Sequence, residues 1–274
     1  MVWLNGKLVE DGELPAHNAG ILLGWGVFTT VGIRAGKPRF LARHIARLER
    51  DAHEAQVPFD LDFAAISLGL QMVLQAKRIQ NGLARLTLSA RGDGRWSKEG
   101  GADFSILACE ATPCHEPLRV QLSPYRVEAK RPLCGVKTTS YLNYLWAWRA
   151  AKARGFDEAI LRDGRDFLSE GTRATLFWTR QSRLYTPSFS TGCLHGIGRE
   201  LTLEWAQKND LEVREGEFGV TKAQRAEEMW LVSAANGPRA VAYWHDENGV
   251  KPTQFDTNAR LGTEFLRWFA AQNE

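Results

Sequence analysis

The sequence predicts an α+β protein in two parts, and three observations carry that expectation. Short β-prone runs joined by turn residues recur along the chain. Helical periodicity comes in isolated blocks, not after every strand, which argues against an alternating βαβ array. A proline-bearing polar stretch, "EATPCHEP", interrupts the pattern before the middle of the chain. The expected division is a small N-terminal domain over 1–112, a linker and first strand of the second domain over 113–134, and a larger domain over 135–274. With 274 residues, each part can bury a core of its own.

The elements follow in order. "VWLNGKLV" reads as a hairpin about Asn5-Gly6, and "GVFTTVGIRAGKPRF" as a second about Ala35-Gly36-Lys37. "LARHIARLERDAHEA" changes period. Leu41, Ile45 and Leu48 share a helical face, which lets Arg43, Arg47 and Arg50 point elsewhere, and Pro58 ends the helix. "DLDFAAISLGLQMVLQAKR" is a second helix, closed by Asn81-Gly82. "LARLTLSA" and "DFSILAC" are strands flanking the loop "RGDGRWSKEGG". After the linker, "LRVQLSPYRV" is extended. The helix following Lys137 stops at Gly155, a residue suited to a left-handed cap. "DEAILRDGRDFLSE" and "TLFWTRQSRLYTP" are strand–turn–strand units. "GIGRELTLEWAQKNDLEV" is loop, helix and strand, "EEMWLVSAANGPRAVAYW" two strands, and "GTEFLRWFAAQN" a final helix.

Composition bounds the function. Hydrophobic residues make up 44% and charged residues 24%, an ordinary globular balance. The 35 basic and 32 acidic side chains are interspersed, so a nucleic-acid partner is not expected. A weak non-enzymatic nucleic-acid binder using the "RGDGRW" loop is the remote alternative. Cys109, Cys114, Cys134 and Cys193 form no CxxC pair and fit no zinc spacing, so no metal and no disulfide framework are expected. The N-terminus has no signal-peptide pattern and no apolar run spans a bilayer, so the expected location is cytoplasmic, with no membrane partner.

Four segments carry residues of unusual chemistry. Lys137, in "GVKTTSYLNYLWAW", sits between small or hydroxyl-bearing residues and an apolar helix. Partial desolvation there lowers an amine's pKa and suits it to Schiff-base chemistry. Glu170, in "LSEGTRATLFW", ends one strand ahead of a strongly apolar one and is placed to face a buried cation. "LHGIGRE" puts Gly196 and Gly198 at a helix start, where backbone N–H groups bind phosphate. Arg47 is a cation on a helix with an apolar face. Each feature alone reads more simply as a surface lysine, a turn residue, a common loop and a solvated arginine.

Taken in order, these segments resemble the class-IV aminotransferase family, the fold type IV pyridoxal-phosphate enzymes. This family includes branched-chain and D-amino-acid aminotransferases and aminodeoxychorismate lyase. The markers are "LGWGVFTT", "RHIARL", "VKTTSYLNYL", "DEAILRDGRDFLSEGTRATLFW", "GIGRE" and "EEMWLVSAA", and they span nearly the whole chain. The resemblance implies a D-amino-acid-aminotransferase-like fold. Its N-terminal α/β domain is small, and its larger domain has a barrel-like sheet. It implies pyridoxal 5'-phosphate as cofactor, with Lys137 as the Schiff-base and proton-moving residue and Glu170 against the pyridine nitrogen. Arg47, the backbone of Ile197 and Gly198, and Ser233 would hold the phosphate, and Tyr141 would face the ring's phenolic oxygen. Phe28, Thr29, Arg91 and Arg95 would meet the substrate, an arginine clamping its carboxylate. It also implies a homodimer. Three positions depart from the family pattern. Gly198 stands where a threonine is usual, Thr175 where asparagine is, and Trp25 where aspartate is.

Within that family, "VFTT" and "LFW" resemble the lyase. The implied reaction converts 4-amino-4-deoxychorismate to 4-aminobenzoate and pyruvate, a step of folate biosynthesis. The alternative is an aminotransferase acting on branched-chain or D-amino acids with 2-oxoglutarate. Trp25 and Trp96 suit an aromatic substrate or, equally, plain packing.

Overall fold

The computed structural model describes residues 1–92, 100–112, 114–249 and 252–272. The described residues fall into two units, Met1–Pro113 with Val136–Tyr141, and Cys114–Gly135 with Leu142–Gln272.

In the first unit, β1 (Val2–Leu4) and β2 (Lys7–Val9) pair about Asn5 and Gly6, whose φ angles of 50° and 90° make the left-handed turn expected of Asn-Gly. A short helix follows, α1 (Ala19–Leu22), capped by the Asn18 side chain. The next hairpin, β3 (Gly26–Arg34) and β4 (Lys37–Pro38), turns through Ala35 and Gly36. Then come α2 (Leu41–Glu54), α3 (Phe63–Ala76), β5 (Gly82–Ala90) and β6 (Ala102–Glu110). Among the described residues the strands form one antiparallel sheet in the order β2-β1-β6-β5-β3-β4. Its core holds Val27, Val31, Leu86 and Ile106 from the strands, Ile45 and Leu48 from α2, and Ile66 and Leu70 from α3. Two local expectations change. α3 stops at Ala76, several residues before Asn81-Gly82, because Arg78 turns left-handed (φ 53°) and Gly82 already pairs in β5. On α2, Arg47 lies inward with Leu48 and Asp51 instead of pointing away from the apolar face.

The second unit starts with β7 (Leu118–Val127) and, after the excursion described below, α4 (Leu142–Ala153). Gly155, at φ 83°, ends that helix as expected, with Phe156 N donating to Ala151 O at 3.1 Å. Next are β8 (Glu158–Asp163), β9 (Leu168–Gly171), β10 (Thr175–Arg180) and β11 (Arg183–Pro187). The unit continues with α5 (Ile197–Lys208), β12 (Val213–Gly216), α6 (Val220–Gln224), β13 (Glu228–Ser233), β14 (Gly237–His245), β15 (Pro252–Gln254) and α7 (Arg260–Ala271). The described strands form a mixed sheet, β12-β11-β10-β13-β14-β7-β8-β9, with β15 beside β14. β9 also touches β10 and β11, so the sheet curls, as expected of a barrel-like domain. Leu122, Ile160, Leu176, Trp178, Leu231 and Trp244 fill it. Trp205, Trp230 and Phe265 bring α5, β13 and α7 together at ring distances of 4.9 to 6.4 Å.

A boundary drawn along the chain at 134/135 has no place for the segment 136–141, which belongs with the first unit. Phe28 N donates to Lys137 O at 3.0 Å and Thr139 N to Gly26 O at 2.8 Å. The Thr139 and Ser140 hydroxyls both donate to Gly24 O. These bonds hold the segment along β3, so the lysine-bearing peptide leaves the second unit and returns to it at α4.

Candidate functional site

In the first unit, Lys137 is held at its main chain from two sides. Its N–H donates to Asp51 Oδ2 at 3.2 Å, and its carbonyl accepts from Phe28 N. The amine donates to Tyr141 Oη at 3.3 Å and lies 4.6 Å from the Phe28 ring centre and 4.7 Å from that of Tyr141. The two rings meet edge to face, with centres 5.4 Å apart. An ammonium is stabilised over such faces, yet the half-buried setting keeps much of its water away.

Beneath that cage, Arg47 Nη2 donates to Thr29 Oγ1 at 2.6 Å, and Thr29 Oγ1 lies 2.5 Å from His44 Nδ1. Since Thr29 accepts from the arginine, its own proton goes to Nδ1, which leaves His44 neutral with hydrogen on Nε2. Burial drives the His44 pKa well below its ordinary value, and the Arg47 and Lys137 charges push the same way. Thr29, fully buried, therefore supports Arg47. Phe28 forms one wall of the lysine cage and lies 3.6 Å from the guanidinium carbon of Arg85. Burial lowers the Arg85 pKa while Tyr141 opposes the shift. Arg91 is bound to Asp103, with Nε 2.7 Å from Oδ1. That bond competes with the carboxylate clamp expected of Arg91. Arg95 and Trp96 lie outside the described residues. Trp25 is partly buried, packs against the core and donates to Ala55 O at 2.8 Å.

In the second unit, Glu170 ends β9 at 5% exposure. Its Oε1 accepts from Tyr144 Oη at 2.9 Å and its Oε2 from Leu194 N at 3.1 Å. Arg131 Nη2 donates to Tyr144 Oη at 3.2 Å. A buried carboxylate held this way suits a cationic partner. Its charge is felt nearby. Burial first, then Glu170, raises the thiol pKa of both Cys134 and Cys193, the latter to about 12.

Leu194 also leads into the start of α5, where Gly196 provides no side-chain cap. The first N–H groups of a helix then seek an anion. A Cβ at Gly198 would stand 3.1 Å from Ser233 C and Cα and 3.2 Å from Ala234 N. The turn after β13 therefore presses directly on the helix start, and glycine keeps the two backbones close. Ser233 Oγ accepts from Asn236 N at 3.2 Å. A Cβ at Gly196 would lie 3.3 Å from Thr175 Oγ1, which brings that hydroxyl to the same helix start. Arg199 ties the first turn of α5 to Thr186 and Glu215 on β11 and β12.

Tyr144, Asp51, His44 and Arg85 were not singled out in the sequence. The helical period does place His44 and Asp51 one turn to either side of Arg47 and so on its face. Tyr144 and Arg85 carry no local signal. Among the described residues, no three acidic, His or Cys side chains cluster as metal ligands. No helix of the described residues is long and apolar enough to cross a membrane.

These features occupy a region whose sequence matches the profile of the family described as "Amino-transferase class IV", over residues 26–244. The chain belongs to the class IV aminotransferases. It is thus an enzyme of a pyridoxal 5'-phosphate-dependent family. It is similar to an aminodeoxychorismate lyase of Bacillus subtilis (28% identity, covering 85% of this chain and 83% of the relative). It is also similar to a putative branched-chain-amino-acid aminotransferase of Methanocaldococcus jannaschii (27%, covering 85% and 84%). Its fold matches the crystal structure of a putative 4-amino-4-deoxychorismate lyase from Legionella pneumophila. The TM-score is 0.89 at 24% identity, over 96% of this chain and 97% of that one.

A class IV enzyme needs an amine, a buried acid and a phosphate cradle for this cofactor. The uncapped helix start with its close glycine, and the buried Glu170 carboxylate, are donor and acceptor types that fit the phosphate and the pyridine nitrogen.

Proposed function

We propose that this class IV enzyme is a lyase that converts 4-amino-4-deoxychorismate to 4-aminobenzoate and pyruvate. The observation that carries the reading is the similarity to the Bacillus subtilis lyase over 85% of the chain. The local "VFTT" and "LFW" segments support it, and the cage around Lys137 supplies the amine that the chemistry requires.

Lys137 would hold the cofactor, Glu170 would stand against its pyridine nitrogen, and Tyr141 would face its phenolic oxygen. Arg47, Ser233 and the N–H groups of Ile197 and Gly198 would take its phosphate. When bound, pyridoxal phosphate draws electron density from the amine-bearing carbon of the substrate. The residues of the chain do the rest. The Lys137 amine takes the proton from that carbon and returns one to the departing three-carbon fragment, and Tyr141 Oη fixes where the amine stands. Tyr144 and Leu194 N keep Glu170 aimed. Phe28 covers the amine and helps to exclude water. We further propose that the enzyme works as a cytoplasmic homodimer, with a solution mass twice 30.7 kDa.

The test is a pair of incubations of the cofactor-loaded enzyme. With 4-amino-4-deoxychorismate, pyruvate and 4-aminobenzoate are expected in equal amounts. With isoleucine or D-alanine plus 2-oxoglutarate, little glutamate is expected. Transamination without pyruvate release would overturn the lyase reading in favour of an aminotransferase, which the similarity to the Methanocaldococcus protein supports.

A further inference from the structure

We propose that Asp51 is a positioning residue: one buried carboxylate that sets both the peptide of Lys137 and the guanidinium of Arg47 for cofactor binding. The proposal rests on the cofactor roles proposed above for those two residues.

Asp51 is fully buried on α2, one turn after Arg47. Its Oδ2 accepts from Lys137 N at 3.2 Å and lies 3.9 Å from Arg47 Nε. Its Oδ1 accepts from Arg50 Nη2 at 2.9 Å. A carboxylate taken out of water is costly unless several donors meet it, and here the donors come from two separate stretches of chain. Asp51 thereby joins residues 86 positions apart, the lysine peptide and the middle of α2. Thr29, itself bonded to His44, accepts from the other end of the Arg47 guanidinium. With Phe28 N on the Lys137 carbonyl, the lysine peptide is held from both sides, and the Asp51 carboxylate stands within ion-pair distance of the Arg47 guanidinium.

A simple structural tie would need only an acceptor for the Lys137 N–H. A positioning carboxylate must also act through its charge, on Arg47 and on the Lys137 amine. Among the described residues, His44 on α2 feels the charges of both Arg47 and the Lys137 amine, and Tyr141 on the lysine's own segment accepts from that amine. Arg85 on β5 lies across Phe28. Asp51 is the acid of the set that meets the Lys137 backbone, so its charge favours the protonated form of the lysine–cofactor adduct.

The experiment uses full-length protein and the variants Asp51→Asn and Asp51→Ala. Three quantities are read: the affinity for pyridoxal phosphate by fluorescence, the pH titration of the visible absorption band, and the thermal midpoint. Asn keeps an acceptor for Lys137 N but loses the charge. For Asp51→Ala we expect a rise in Kd of about tenfold or more, the loss of one well-placed contact. For both variants the titration of the visible band should move down by about one pH unit. Asp51→Asn should recover part of the affinity but none of the titration shift. An unchanged titration and Kd in Asp51→Asn, with only the thermal midpoint lowered, would reduce Asp51 to a structural tie and overturn the proposal. Asp51→Asn decides the matter if Asp51→Ala does not fold. Absence of a visible band in the unsubstituted protein would instead overturn the cofactor roles themselves, and this proposal with them.

Discussion

Replacing Tyr144 by Phe removes one oxygen and leaves the ring. In the folded protein that oxygen donates to Glu170 Oε1 at 2.9 Å and accepts from Arg131 Nη2 at 3.2 Å. Tyr144 and Glu170 are both buried, so water cannot replace the lost donor easily. A hydrogen bond to a charged acceptor contributes about 1.5–3 kcal/mol. Arg131 is half-buried and can turn towards solvent, so its share is small. The expected loss in the cofactor-free protein is about 2 kcal/mol, a fall in thermal midpoint of roughly 4–8 °C. The assay is a double-mutant cycle with Glu170→Ala, followed by thermal unfolding at neutral pH. If the bond to Glu170 carries the effect, Tyr144→Phe should cost little in the Glu170→Ala background, a coupling of about 1.5–3 kcal/mol. Equal costs in both backgrounds would refute the view that Tyr144 acts on Glu170.

Other outcomes follow from the same geometry. Gly198→Ala puts a methyl 3.1 Å from the Ser233 backbone, and the resulting overpacking costs about 1–3 kcal/mol. Better helix propensity offsets up to about 1 kcal/mol of this. The affinity for pyridoxal phosphate should therefore fall more than the thermal stability, and equal falls would count against the cradle. His44 is kept neutral in the fold, so its folded pKa lies below its unfolded value of about 6.5. The stability it allows is present above that pH and is lost as pH falls and the unfolded chain takes up a proton, by up to about 1.4 kcal/mol per pH unit. In His44→Asn, unfolding titrations between neutral and acid pH should show a shallower slope, and an identical slope would contradict the assignment. Cys193 is buried with its thiol pushed up to about 12, so alkylation followed by mass spectrometry at mildly alkaline pH should label the exposed Cys109 and Cys114 well before it. Equal labelling would contradict the burial.

Much of the fold was legible because local signals agree with tertiary structure. Asn5, Gly6, Gly36 and Gly155 each take the left-handed conformation that their residue type suggests. The turn between β10 and β11 is less legible, since Gln181 and Ser182 take the left-handed conformation without a glycine. Lys137 and Glu170 stand at abrupt changes of pattern, and the family resemblance drew them out as candidates. Their supports were not legible. Tyr144 looks like one more aromatic on an apolar helix until Glu170 is brought to its hydroxyl. Asp51 looks like a solvated helix residue among charged neighbours, yet it is buried and meets the returning segment 136–141 through Lys137 N. The resemblance of the "VFTT" segment offered Thr29 together with Phe28 as substrate contacts. Alternation along β3 turns the threonine the other way, to Arg47 and His44.

The most direct test of the central assignment is borohydride reduction of the protein loaded with pyridoxal phosphate, followed by digestion and peptide mass analysis. A phosphopyridoxyl group is expected on the peptide that carries Lys137, and its absence is expected in Lys137→Ala. A label on another lysine, or none at all, would contradict the assignment.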